Sequence, residues 1–302
     1  SPFAPADKIA RARNIVINKA LSINGLQGAL YVAGNWQNNL GVSGFNAGVG
    51  EVRFMSSTGK QTISTSDAAE NFYKLTIANT SNQASSDEVT LLKPVTVAGE
   101  FNLAKGRLLT TTSNTLTITN NLASAVNANG ANDTYVNGPM RWDPTSGSGY
   151  EDGKEYLFPV GKPTGKYGAY RPVVIIPTLP SGAPGTVQPT IYAAEYFPTA
   201  GPGIGSRSFL GILNTEYWEI ARPLGNVDAV VKLIYIKPTS ISDWSDVEPC
   251  FTCNVAIAKQ YGGTTWNFTN FPSTSSGFDM VKPETRWSGD ATGPVYSKLL
   301  SN

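Results

Sequence analysis

Val95-Thr96-Val97-Ala98-Gly99-Glu100-Phe101-Asn102-Leu103-Ala104-Lys105-Gly106-Arg107-Leu108 is the most informative run in this sequence of 302 residues. Val95 and Val97 flank a polar residue, and Phe101 and Leu103 do the same. Each pair reads as one short strand with two inward side chains. Ala98-Gly99 and Lys105-Gly106 separate the pairs as turn residues that accept positive φ. From Val95 to Phe101 is six residues, and from Phe101 to Leu108 is seven. Gaps of that size suit a coil with three short faces per turn.

The same pattern recurs on both sides of this run. Ile15/Ile17, Leu21/Ile23, Leu30/Val32, Val52/Phe54, Leu75/Ile77, Val89/Leu91 and Leu116/Ile118 are its other instances. Asn24-Gly25, Gly34-Asn35 and Ser113-Asn114 punctuate them. Antiparallel hairpins would make such strands a meander or sandwich. Strands turning the same way each time would make a parallel β-solenoid. The short gaps favour the solenoid, and asparagine fits it, because its amide can ladder between stacked rungs. Only residues 5–13 carry a trace of a 3.6-residue apolar period. They read as a short helix that caps the solenoid or packs as an arm on a neighbouring subunit.

Composition narrows the function. Charged residues are 15% of the chain, and 23 Lys+Arg against 22 Asp+Glu leave a net charge of +1. With no basic cluster, that argues against nucleic-acid partners and electrostatic docking on membranes. Serine (26), threonine (29) and asparagine (24) fill the space, beside 30 Gly and 20 Pro. This is a mixture of strand formers and turn residues. A hydrophobic content of 40% is ample for a core. The run Val173-Val174-Ile175-Ile176 is far too short to span a bilayer, so no transmembrane segment is expected. There is no histidine, which excludes a Ser-His-Asp triad, a Cys-His pair and His-ligated metal. No catalytic residues are assigned. The start at Ser1, with no apolar leader, is what a processed chain or a piece of a longer one would have.

Punctuation divides the chain. Only Pro2, Pro5, Pro94 and Pro139 fall in the first 140 residues, whereas 18 of the 24 asparagines do. The expected organisation is mainly β. A parallel, β-helix-like solenoid with an N-terminal cap or arm occupies residues 1–142, and a linker or long loop residues 143–153. An antiparallel, immunoglobulin-like β-sandwich occupies residues 154–302. Its strands are read at 155–160, 171–177, 190–197, 216–221, 229–236, 254–259 and 265–268, with Trp218, Tyr235 and Trp266 as core pieces.

Further motifs add a resemblance. Gly34-Asn35-Trp36-Gln37-Asn38-Asn39, Gly50-Glu51-Val52-Arg53-Phe54, Gln61-Thr62-Ile63 and Phe72-Tyr73-Lys74-Leu75-Thr76-Ile77 form an ordered series. It continues through Val95-Thr96-Val97-Ala98-Gly99 and Tyr135-Val136-Asn137-Gly138-Pro139-Met140, then Phe158-Pro159-Val160-Gly161 and Glu216-Tyr217-Trp218-Glu219-Ile220. The series resembles the large secreted and cell-surface β-proteins of Bacteroidota exported by the type 9 secretion system. The resemblance implies an extracellular or outer-surface setting in adhesins, gliding-related proteins or appendage components, and no shared catalytic residues. Such proteins usually end in a sorting domain; Tyr296-Ser297-Lys298-Leu299-Leu300-Ser301-Asn302 leaves no room for one after the sandwich.

Candidate sites are few. Trp36, Trp142, Trp244 and Trp287 lie beside turn residues, where exposed rings would contact glycans or partners; packing is the competing reading. Asp243, Asp246 and Glu248 crowd one loop and are candidate calcium ligands, or a solvated acidic turn. No other cofactor is expected. Cys250 and Cys253 read as a local disulfide or free thiols, because a zinc site would lack two ligands. Glu216 and Glu219, three apart in a strand, should face opposite ways, a poor pair for glycoside chemistry. Lys93, Lys105 and Arg107 are candidate bases for a solenoid lyase, with nothing to gather them. The leading expectation is a non-enzymatic structural or adhesive module that self-associates or joins other surface subunits. The alternatives are a carbohydrate-binding module of an extracellular enzyme and, behind it, a β-helix polysaccharide lyase.

Overall fold

The computed structural model describes residues 9–23, 28–81, 87–131, 133–144, 149–163, 170–179, 190–198, 217–225, 227–233, 235–236, 255–261, 266–269, 280–281, 284–287 and 295–301. The chain is mainly β and divides into two compact units, Ser1–Asp143 and Pro144–Asn302.

The first unit is a parallel β-solenoid with three faces. One face holds β1 (Ile9–Ala12), β4 (Ala29–Val32), β7 (Glu51–Phe54), the second half of β9 (Glu70–Ala78), the second half of β11 (Val95–Lys105) and β14 (Val126–Ala128). The next holds β2 (Ile15–Ile17), β5 (Trp36–Asn38), β8 (Gln61–Thr65), β10 (Glu88–Leu91), β12 (Arg107–Leu109) and β15 (Tyr135–Asn137). The third holds β3 (Leu21–Ser22), β6 (Phe45–Asn46), the first halves of β9 and β11, β13 (Leu116–Ile118) and β16 (Met140–Trp142). The chain makes about 5 turns, and every strand pair named here is parallel. The three-faced coil expected from the six- and seven-residue gaps is therefore present.

Register explains the core. Parallel pairing aligns Val52 with Leu75, Leu75 with Phe101 and Phe101 with Val126 in one inward column, and Phe54, Ile77 and Leu103 in the next. Val97, Ile118 and Trp142 stack on the third face. All of these are buried. Each side chain taken out of water contributes roughly 1.5–3 kcal/mol, so the columns outweigh the modest β-propensity of strands only three residues long.

Asparagine holds the corners in two ways. Asn39 Nδ2 donates to Asn18 Oδ1 of the preceding turn at 2.8 Å, an amide ladder. Asn79 and Asn120 each do two jobs. Their amides donate to the Gly59 and Gly99 carbonyls one turn back, at 3.0 and 2.7 Å. Their Oδ1 atoms accept the N–H groups of Ser81 and Leu122, at 3.1 and 2.9 Å. The side chain thus closes a local turn and ties it to the rung below.

Two expectations are corrected. Residues 9–12, read as part of a helix, form β1, whose backbone pairs with β4 from Ile9↔Ala29 to Ala12↔Val32. A ready strand edge outweighs the weak local helical pattern there. Ala98-Gly99 is not a turn. β11 runs straight through it, with a register shift against β9 between Val97 and Glu100. This bulge bends the strand from the third face onto the first, and a Cβ on Gly99 would sit 2.7 Å from the Tyr73 carbonyl oxygen.

The second unit is antiparallel. β17 (Tyr156–Phe158), β18 (Val173–Thr178), β21 (Asp228–Leu233) and β26 (Glu284–Trp287) form one ladder. β19 (Ile191–Phe197), β20 (Tyr217–Leu224), β27 (Val295–Ser301), β23 (Val255–Tyr261) and β24 (Trp266–Thr269) form another. β22 (Tyr235–Ile236) pairs with β25 (Met280–Val281). Trp218 is fully buried, and its Nε1 donates to the Arg171 carbonyl at 3.0 Å. The side chains of Tyr235 and Trp266 lie outside the described residues.

Candidate functional site

Two of the four candidate tryptophans are not surface rings. Trp36 and Trp142 are fully buried. Trp36 occupies the inward column of the second face between Ile15 and Ile63, and Trp142 stacks on Ile118. Their neighbouring turn residues place them at strand starts and ends, but strand alternation then turns the rings inward. Trp287 belongs to β26, with its side chain outside the described residues. Trp244, the calcium candidates Asp243, Asp246 and Glu248, and the thiols Cys250 and Cys253 also lie outside them. Among the described residues, no group of three or more His, Cys, Asp or Glu is placed to hold a metal ion. No helix among them is long and apolar enough to cross a membrane.

Two of the three candidate bases are engaged in ion pairs. Lys105 pairs with Asp133. Arg107 is buried, and its Nε and Nη2 both donate to Asp87 Oδ1, at 3.0 and 2.6 Å. Lys93 is exposed. Glu216 lies outside the described residues, but Glu219 has a partner that sequence spacing hides. Glu195 stands directly opposite it across β19 and β20. Burial first, and then the Glu195 charge, push the Glu219 carboxyl up. Lys162 Nζ reaches Glu195 at 2.9 Å and neutralises part of the pair.

Inside the solenoid lies a polar cluster. Glu70 begins β9 at an inward position and is only 3% exposed. Trp36 Nε1 donates to its Oε2 at 3.0 Å, and Asn38 Nδ2 to its Oε1 at 3.3 Å. The Asn71 N–H adds a third bond at 3.2 Å. Burial nevertheless pushes the Glu70 carboxyl above 4.5, against the pull of these donors and with the Asp67 charge helping. The raised folded value means that Glu70 adds stability that is complete below its unfolded value and fades as pH rises through the folded one. The gap between wild type and Glu70→Gln in urea stability should therefore move in favour of the variant as pH rises from below 4.5 toward neutral. A gap that does not change with pH would refute this.

On the outer surface of the first face, a second cluster forms. Registry aligns Arg11 of β1, Tyr31 of β4 and Arg53 of β7 in one outward column. Both guanidiniums lie by the Tyr31 ring, 5.4 Å for Arg11 and 5.3 Å for Arg53 from its centroid, one from each neighbouring strand. Arg53 Nη1 also donates to the Tyr31 hydroxyl at 3.4 Å. Alongside runs a groove of about 890 Å³ lined by Arg11, Arg13, Tyr31, Arg53, Met55 and hydroxyl residues that include Thr58 and Thr80. Among the described residues, no acidic side chain lines it.

Comparison with protein-family models, curated proteins and solved structures gives no match.

Proposed function

We propose that the chain is a non-enzymatic structural or adhesive module of a bacterial cell-surface protein or extracellular assembly. In this reading the antiparallel ladders of the second unit close as a sandwich. The observation that carries it is the solenoid itself. Most of its inward positions form apolar columns, and its corners are tied turn to turn by asparagine amides. Such a wall gives a rigid surface. Of the three bases a solenoid lyase would draw on, Lys105 and Arg107 are held in ion pairs, and Lys93 is exposed. The low charge of 15% and the surface-protein motifs support an extracellular setting.

The test is electron microscopy and sedimentation of purified protein over a wide concentration range, with adhesion to cells and coated surfaces. Fibres, rings, an ordered coat or adhesion is the expected result. A protein that stays monomeric at high concentration and binds neither cells, surfaces nor glycans would overturn the proposal.

A further inference from the structure

We infer that the groove beside Tyr31 binds an acidic polysaccharide, with Arg11 and Arg53 gripping its carboxylate or sulfate groups. Three guanidiniums line this groove, and among the described residues the one carboxylate paired with them is Glu51, whose Oε1 lies 3.6 Å from Arg53 Nε. That is beyond hydrogen-bond reach, and Arg53 Nε is buried with no hydrogen-bond partner among the described residues. Arg11 and Arg13 are exposed and form no ion pair among the described residues.

Geometry selects the ligand. Arg11 and Arg53 stand on strands two steps apart, about 9.5 Å at ordinary strand spacing. The Tyr31 ring between them fixes their separation. Each presents a planar fork suited to a two-oxygen anion. The ligand should therefore carry anions at intervals along a chain. Ser57, Thr58 and Thr80 on the groove wall offer hydroxyls for a hydroxylated backbone. Nucleic acid fits less well. Binding of single strands relies on aromatic faces for base stacking, and both sides of Tyr31 already carry guanidinium groups.

The inference stands apart from the scaffold reading, since a protein that assembles without binding polyanions keeps the scaffold and loses this site. Its test is calorimetric titration of the full chain with polygalacturonate, dextran sulfate, neutral dextran, polyglutamate and single-stranded DNA. Binding to polygalacturonate or dextran sulfate, weakened by added salt, is expected; which one binds identifies the anion. Arg11→Glu, an exposed position, should weaken that binding about tenfold or more, and Arg53→Gln should do the same. Thermal unfolding would confirm that both variants fold, and Arg11→Glu alone suffices where Arg53→Gln does not. Equal binding of neutral dextran, tighter binding of polyglutamate or DNA, no polysaccharide binding, or full affinity in Arg11→Glu would each overturn the assignment.

Discussion

Trp36→Ala is expected to lower the unfolding free energy by about 4–5 kcal/mol. The indole starts on the second face of the coil but packs against residues of the other two. Its centroid lies 4.7 Å from Phe45 and 5.4 Å from Phe72 of the third face, and 6.4 Å from Phe54 of the first. These are edge contacts, the favourable arrangement for aromatic pairs. Deleting the ring opens a cavity where all three walls meet, and they are too firmly paired to collapse into it. The loss is also polar, because Trp36 Nε1 is the closest donor to the buried Glu70 carboxyl. Trp36→Phe separates the two terms. It keeps most of the packing and removes the donor, and should cost about 1–2 kcal/mol. Urea denaturation followed by far-ultraviolet circular dichroism reads both variants. A Trp36→Ala cost under about 1 kcal/mol would show that the interior is loosely packed at this level.

The same residue marks where sequence reading stops. The apolar pairs from Ile15/Ile17 to Leu116/Ile118 were legible because inward positions on those strands are hydrocarbon and alternate with polar residues. β5, β8 and the start of β9 break that rule. Their inward residues include Asn38, Gln61, Thr65 and Glu70, all buried. Their polar groups are satisfied inside the coil: Gln61 Nε2 donates to the Val32 and Gly34 carbonyls, and Asn38 to Gly41. A polar residue facing inward reads as one facing water until its partner is known. The Arg11–Tyr31–Arg53 column was hidden for a different reason. Its members stand 20 and 22 positions apart, and only the pairing of β1, β4 and β7 brings them together. Unequal turn lengths conceal such columns. From Lys74 to its partner Glu100 is 26 residues, against 20 from Ile9 to Ala29. Similarly, the Glu195–Glu219 pair depends on an antiparallel register that no local spacing encodes.

Gly106 was legible as a residue that accepts positive φ, and it gives the other large expected effect. Its φ is +80°, in the left-handed region, where an L side chain is strained. It sits at the corner between β11 and β12, where the next residue's N–H donates to the Asp87 carbonyl at 2.8 Å. A Cβ there would lie 2.6 Å from both the Asn79 and the Asp87 carbonyl oxygens. Both are backbone atoms of the turn below, so neither can swing aside as a side chain would. Asn79 is itself fixed by its bonds to Gly59 and Ser81, and Asp87 is held by Arg107. Gly106→Ala should therefore combine backbone strain with overpacking and cost about 3–5 kcal/mol. Gly59→Ala is the matched control. It lies two turns back, has no positive φ, and a Cβ there meets nothing within 4 Å. It should leave the urea midpoint nearly unchanged. Equal stability of the two variants would mean that the corner at Gly106 relaxes freely, and that the stacked turns are not locked through their backbones.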